Sequence, residues 1–506
     1  MRLRNARITG EPVDVVVEGG VIASITPAGG SFANDDAVRD NAADDDAAHG
    51  DVDHGDVDLD GRWLTPGLWD NHVHFTQWTL SSRRVDISGA GSAREAAAMV
   101  ASAIARAGDI TTRAPFIAVG FRDGLWPDAP NLADLDLAVG SRPVVLVSAD
   151  IHAVWLNSAA LDLYGYRGHP TGLLREDVAF DIARRIDEVP TDVVDVWVRD
   201  AAARAAARGI VGIVDYEMTW NVDNWVRRVA AGTTSLRVDL SVYTEHLDRA
   251  IALGLRTGAP FAAADTDLLT FGGFKVITDG SLNTRTAYCV DEYPGLAGHD
   301  HPHGLLTVPQ HDLVPLMRRA AAAGIAPSVH AIGDRANALA LDAFETLGIG
   351  GRIEHAQLLS DGDISRFARL GVTASVQPEH ALDDRDVAEK YWPGRTGRAF
   401  ALRSLLDAGA QLALGSDAPV APLDPWVTMA AAVGRTRDDR EPWHPEQAIS
   451  LDEAMRASSR TTVAPGQRAD LVVTEVDPRG ASASDLRTMP VAATLLGGRF
   501  THTDLR

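Results

Sequence analysis

Eight short, apolar, strand-like runs recur through the middle of this chain, with helical stretches between them. They are Leu68–Val73, Ile210–Asp215, Leu236–Val242, Thr270–Ile277, Ile325–His330, Arg352–His355, Val372–Val376 and Gln411–Gly415. Strands alternating with Ala-rich or amphipathic helices build parallel sheets, and eight such units close into a ring. The expected fold is therefore α/β, a (β/α)8 TIM barrel. The spacing is regular except between Phe75 and Arg208, where Phe116–Val119 and Val144–Val147 add further strand signals. An insertion over about residues 76–208 is expected after the first barrel strand.

The two ends of the chain carry a different pattern. Val13–Val17 and Val21–Ile25, joined by Glu18-Gly19-Gly20, read as a hairpin, and Ala469–Val476 and Val491–Leu496 read as strands, the second running into Gly497-Gly498-Arg499. Residues 1–62 and 466–506 are thus expected to form one small β-sandwich domain, with the barrel over 63–465. A length of 506 residues suits a barrel with an accessory domain, because single cores stop growing below that size. Asp35–Asp60 holds eleven Asp and one Arg, a net of −10 within a chain total of −23, so the remainder carries −13. So few apolar residues cannot build a core. Residues 28–60 therefore read as a solvated, disordered acidic insertion, in preference to a metal-binding tail built on His49 and His54.

Net negative charge argues against nucleic acid and anionic membranes as partners, since both need a basic face. Hydrophobic residues at 45% and charged residues at 23% match a soluble globular protein. No run is long enough to span a membrane, and Met1–Pro27 lacks a continuous apolar segment, so the expected location is cytoplasmic. The partner expected is a small-molecule substrate, with a homo-oligomer compatible. Cys289 is the single cysteine, which excludes an internal disulfide and leaves any metal to His and carboxylate ligands. It reads as a small buried hydrophobe.

Chemistry gathers at the strand ends. His72 and His74 are two apart on a strand, so both imidazoles point to one face and can reach one metal ion. Lys275 falls in the fourth strand, His330 ends the fifth, His355 ends the sixth, and Asp417 follows the eighth in Leu414-Gly-Ser-Asp417. Each alone has an ordinary explanation: a strand cap for His330, a helix N-cap for Asp417, a surface position for Lys275. Together they face the C-terminal mouth, the end of such barrels where catalysis lies, and packing does not account for that convergence.

The motifs Pro66-Gly-Leu-Trp-Asp-Asn-His-Val-His74, Asp150-Ile-His-Ala-Val-Trp-Leu-Asn157, Lys275-Val-Ile-Thr-Asp-Gly-Ser281, Val329-His-Ala-Ile-Gly-Asp334, Ile353-Glu-His355, Gly415-Ser-Asp417 and Ala469-Asp-Leu-Val472 span nearly the whole chain. In these, the chain resembles the amidohydrolase superfamily, in the family 3 branch that includes N-substituted formamide deformylases. The acidic insertion departs from that pattern, upstream of the site. The resemblance implies a barrel with two divalent metal ions, zinc being the best match and manganese, iron or cobalt also suited. It implies that His72, His74 and Asp417 hold the first ion, that His330 and His355 hold the second, and that Lys275 bridges them as an N6-carboxylated lysine. Such a centre hydrolyses a non-peptide C–N bond by attack of a metal-bound hydroxide, with Asp417 as the catalytic proton shuttle. His152, Trp155 and Asn157 resemble the family's pocket wall. His380, after the seventh strand, is placed to orient a carbonyl or oxyanion. Asp279 and Arg285 are read either as substrate contacts or as an ion pair behind the ligands. Trp78, Trp126 and Trp155 suggest an apolar pocket. The same centre acting on an ester or phosphotriester is the alternative activity, and a non-catalytic barrel scaffold the less favoured one.

Overall fold

The computed structural model describes residues 1–29, 55–107, 115–186, 189–261 and 266–505. Its centre is an eight-stranded parallel sheet, β1 (Leu68–Val73), β2 (Ile210–Asp215), β3 (Arg237–Val242), β4 (Leu269–Ile277), β5 (Pro327–Ala331), β6 (Gly351–His355), β7 (Val372–Val376) and β8 (Leu412–Leu414). The strands pair in chain order, as expected of a (β/α)8 barrel. Every side chain of β1, β2 and β5 is buried, because helices cover the outside and side chains fill the inside. That double burial is why these strands appear in the sequence as near-continuous apolar runs.

Closure happens at the C-terminal end of the strands. β8 is short, and it meets β1 mainly through the residues that follow it: the Asp417 amide donates to the His72 carbonyl at 2.7 Å and the His74 amide to the Ala418 carbonyl at 2.9 Å. Gly415 is required by this approach, since a Cβ there would lie 2.6 Å from the His72 nitrogen. The seam of the barrel therefore brings the first and last candidate ligands together through backbone hydrogen bonds.

The terminal strands form a separate sheet with its own apolar cluster, drawn from Leu3, Val15, Leu64, Leu471 and Leu495 among others. Arg2–Arg7, Pro12–Glu18 and Val21–Pro27 make one half, and Trp63–Pro66, Leu471–Thr474, Val491–Leu496 and Arg499–Thr503 the other. The pairs Arg7 with Trp63 and Val21 with Arg468 join them. Two departures from expectation follow. Trp63–Pro66 pairs with Leu471–Thr474, so this sheet runs past residue 62, where the sequence pattern began the barrel. Asp56–Asp58, within the segment read as disordered, is a strand paired parallel to Arg2–Arg4, where Val57 and Leu59 pack into the terminal sheet's apolar cluster and Arg4 faces Asp56 and Asp58. Residues 30–54, with His49, His54 and most of the acidic run, lie outside the described residues.

The insertion is more ordered than the two strand signals suggested. It carries a five-stranded sheet in the order Leu173–Arg175, Ala153–Leu156, Val144–Ser148, Phe116–Phe121, Val85–Asp86. Hydrogen bonds from Ser281 to Asp150 (2.6 Å) and from the Gly124 amide to Asn283 (3.2 Å) fasten it to the loop after β4, over the barrel mouth. Among the described residues no helix is long and apolar enough to cross a membrane.

Candidate metal centre

All six strand-end residues line one cavity at the mouth: His72, His74, Lys275, His330, His355 and Asp417. Asp417 is the hub. One carboxylate oxygen lies 3.3 Å from His72 Nε2 and 3.4 Å from His74 Nε2, and the other lies 3.9 Å from His380 Nε2. Two sets of ligand atoms thus share Asp417: His72 with His74, and His355 with His380. His330 stands beside His355, ring centroids 4.4 Å apart, but its Nε2 lies 3.4 Å from Asp279 instead of facing Asp417. His380, expected as a substrate contact, is therefore within ligand range, whereas His330 is one residue out from the second set.

Local backbone explains how consecutive residues can both serve the site. Glu354 and His355 neighbour each other on β6, and strand alternation alone would send them to opposite faces. His355 adopts φ 74° and Asp417 φ 58°, left-handed conformations that cost of order 1–3 kcal/mol each for such residues and are held only by their surroundings. The turn at His355 leaves Glu354 inside the barrel, where it accepts from His72 Nδ1 and the Tyr216 hydroxyl at 2.8 Å each and from Arg352 at 2.9 Å. Burial opposes its charge, yet Arg352, His72 and Lys275 hold its carboxyl well below the usual range. Glu354 escaped the sequence reading although it lies inside a quoted motif. The signal available was a carboxylate next to a candidate ligand, the residue type that orients metal-bound imidazoles.

Electrostatics favour neutral imidazoles. Burial, reinforced by the Lys275 charge, lowers His72 to about 4 and takes His330 well below its ordinary value; for His355, burial and then His330 do the same. Burial would raise Asp417, but His72, His74 and His355 hold it well below the carboxylate range. Buried ring nitrogens on His74, His330, His355 and His380 have no hydrogen-bond partner. Unpaired buried polar atoms are costly. Buried imidazoles around an ionised carboxylate, some with unpaired ring nitrogens, are a donor set suited to a divalent cation, and zinc suits it. Lys275 fits as well. Its Nζ lies 3.3 Å from His72 Nε2 and 4.3 Å from the Tyr216 ring centre, burial lowers it to about 8, and no carboxylate among the described residues is within ion-pair distance.

The remaining candidates divide. His152 lines the cavity, its Nδ1 2.9 Å from Glu176, and although burial opposes its charge, Glu176 and Asp150 raise it to about 9. Trp155 and Asn157 do not line it. Trp155 is fully buried in the core of the inserted sheet, and Asn157 caps the helix Ser158–Tyr164 while bonding the backbone of Gly140, Arg142 and Val144. Their motif is conspicuous because it builds the insertion's core, while only its histidine reaches the mouth. Asp279 and Arg285 form no ion pair with each other. Asp279 accepts from the amides of Tyr288, Ile332 and Gly333, with burial raising it to about 7, and so sets the loop behind His330. Arg285 instead lies over the Tyr391 ring, 5.6 Å from its centre, with its Nε on the Thr284 carbonyl. Of the three tryptophans, Trp126 and Trp155 belong to the inserted core and Trp78 borders a neighbouring groove. Cys289 is buried, and burial pushes its thiol up to about 12.

The amidohydrolase family pattern matches residues 56–502, most of the chain. The chain belongs to the amidohydrolase family. Relatives of this amidohydrolase include protein LONG AFTER FAR-RED 3 of Arabidopsis thaliana, 28% identical over 491 residues, covering 87% of this chain and 82% of that protein. N-substituted formamide deformylase of Arthrobacter pascens is 27% identical over 417 residues, covering 73% of this chain and 75% of that protein. In three dimensions the amidohydrolase shares its fold with an uncharacterized metal-dependent hydrolase from Pyrococcus horikoshii OT3, with a TM-score of 0.73 at 24% identity over 95% of this chain and 98% of the other. Family membership makes the chain a hydrolase.

Proposed function

We propose that this amidohydrolase cleaves a non-peptide C–N bond of a small molecule, an amide, N-substituted formamide or cyclic amide, using two divalent ions with zinc as the first candidate. The observation that carries the proposal is the meeting of two sets of buried imidazoles on the single carboxylate of Asp417. One curated relative, N-substituted formamide deformylase, points to the same bond. Divalent ions bound there would supply an acidified water and a polarised carbonyl. His72, His74 and Asp417 would hold one ion, and His355 the other, with His330 or His380. Lys275, a buried amine with no carboxylate among the described residues in direct ion-pair contact, would join the two sets as its carbamate. Glu354 fixes the His72 ring by accepting from Nδ1, which turns Nε2 toward Asp417. Asp417 is kept ionised, so it can take a proton from the attacking water and return it to the departing nitrogen, which leaves as an amine. His152, protonated and anchored by Glu176, lies on the cavity wall where it can donate to a carbonyl oxygen.

The test is metal analysis of the purified protein together with turnover of a panel of amides, formamides, esters and phosphotriesters before and after chelation. Amide turnover that chelation abolishes and zinc or manganese restores is expected. Turnover confined to esters or phosphotriesters would move the proposal to that bond, and a protein that neither binds metal nor responds to it would leave a scaffold.

A further inference from the structure

The inserted segment, residues 85–186, covers the barrel mouth without sharing the barrel's core. Its apolar side chains form two clusters of their own, one around Phe121, Leu146 and Trp155 and one around Val145, Leu156 and Ile182. Among the described residues neither cluster includes a barrel side chain, and the barrel's clusters include none from residues 85–186. Hydrogen bonds and an ion pair cross the joint instead: Ser281 to Asp150 at 2.6 Å, Thr286 to Glu176 at 2.7 Å, the Gly124 amide to Asn283 at 3.2 Å, and Arg122 with Asp383 at 3.2 Å. Polar groups parted here meet water, which replaces most of what each bond supplied. An apolar core torn open has no such compensation.

The chamber behind this joint is nearly shut. Its volume is about 60 Å³, below the roughly 300–1,000 Å³ of small-molecule sites, whereas the groove beside it measures about 580 Å³. The two spaces meet at Arg122, Ile151, Asp383 and Val420, which line both. Arg122 and Ile151 belong to the insertion, Asp383 and Val420 to the barrel. Passage from groove to chamber therefore runs through the joint, and its width is set by how far the insertion stands off the barrel. The insertion also supplies His152 and Phe180 to the chamber wall.

We propose that the inserted sheet is a lid that lifts from the barrel mouth as one body. Lifting parts the four polar contacts and widens the threshold for an entering molecule. Closing restores them, shuts out bulk water and sets His152 against the bound molecule. The movement does not depend on which bond is cleaved, and only the part given to His152 rests on the hydrolytic reading above.

The test has two arms on the metal-loaded full chain. In the first, Gly124→Cys and Asn283→Cys are combined. A Cβ at Gly124 would lie 3.6 Å from the Asn283 Cγ, within reach of a disulfide, and the native Cys289 is buried elsewhere. Turnover of whichever panel member is hydrolysed is compared between the oxidised and reduced forms of this one protein. Oxidation should cut kcat/KM at least tenfold and reduction should restore it; equal turnover in the two forms overturns the gating role. The second arm needs no turnover. Spin labels are placed on Leu137→Cys in the insertion and Leu253→Cys on the barrel, both exposed positions, and the distance between them is read by pulsed electron resonance. Two distance populations are expected, and Ser281→Ala, which removes one bond across the joint, should at least double the longer one. A single narrow population in both proteins overturns the lid. If nothing in the panel is hydrolysed, the C–N reading fails by itself, and the second arm alone decides whether the sheet moves.

Discussion

In the proposed mechanism Asp417 does two jobs with one carboxylate, and the two can be separated. Asn keeps the shape and one ligand oxygen but cannot accept and return a proton. Asp417→Asn should therefore keep most of the bound metal while kcat falls about 10²–10⁴-fold, the usual size of a general acid–base contribution. Metal content by elemental analysis alongside kcat checks this, and near-normal turnover would remove Asp417 from the shuttle role. Glu354 acts one step back. It touches His72 and not the ion, so Glu354→Gln should weaken metal affinity by about 10–100-fold in chelator competition, with the fold intact by circular dichroism. An unchanged affinity would mean that the Nδ1 hydrogen bond does not orient the ring. The candidate ligands were visible in the sequence because each lies at or near the C-terminal end of a strand. Glu354 was not, because taking His355 as the inward residue of β6 sends Glu354 outward by alternation, whereas a positive φ at His355 lets both serve the site.

The helices after β1 and before and after β2 are tied together by one carboxylate. Asp195, in the helix Thr191–Ala206, bonds Arg227 Nε at 2.6 Å and Arg228 Nε at 2.9 Å, both in the helix Val222–Ala230. Arg228 is buried and reaches Thr76, in the helix that follows His74. Burial would raise Asp195, but its two arginines outweigh burial and lower it below 3.8. A carboxylate lowered on folding adds stability above its unfolded value, and that stability is lost as pH falls through the folded one. Asp195→Ala strands a buried guanidinium and should cost roughly 3 kcal/mol at neutral pH. The gap between variant and wild type in urea midpoint should narrow below pH 4, and a gap independent of pH would assign the loss to packing. Sequence pattern located the barrel strands to within two residues but misjudged what the insertion's residues do. Trp155 and Asn157 carry a motif resembling a pocket wall, yet the strand Ala153–Leu156 is buried on both faces and Asn157 spends its amide on neighbouring backbone.

The whole molecule depends on a joint between its two chain ends and its barrel. Arg237, at the start of β3, bonds both oxygens of Asp470 at 2.8 and 3.1 Å, and Asp470 also accepts from the Gly497 amide. Both charged groups are buried, so breaking the pair leaves a desolvated charge. Asp470→Ala should cost roughly 3–5 kcal/mol, read as a lower urea midpoint for barrel and terminal sheet together. Separate transitions with an unshifted barrel would show that the joint is not structural. The sequence by itself determined the barrel, the β domain shared by the termini and the identities of the strand-end residues. These are written in local periodicity, and strand order in a barrel follows chain order. Only the tertiary structure decided which of those residues meet. Closure at Gly415 sets Asp417 against His72, the left-handed turn at His355 brings that histidine to the site beside an inward Glu354, and the inserted sheet delivers His152 to the mouth. Each of these joins residues far apart in the chain, and period-2 or period-3.6 patterns carry no information about such contacts.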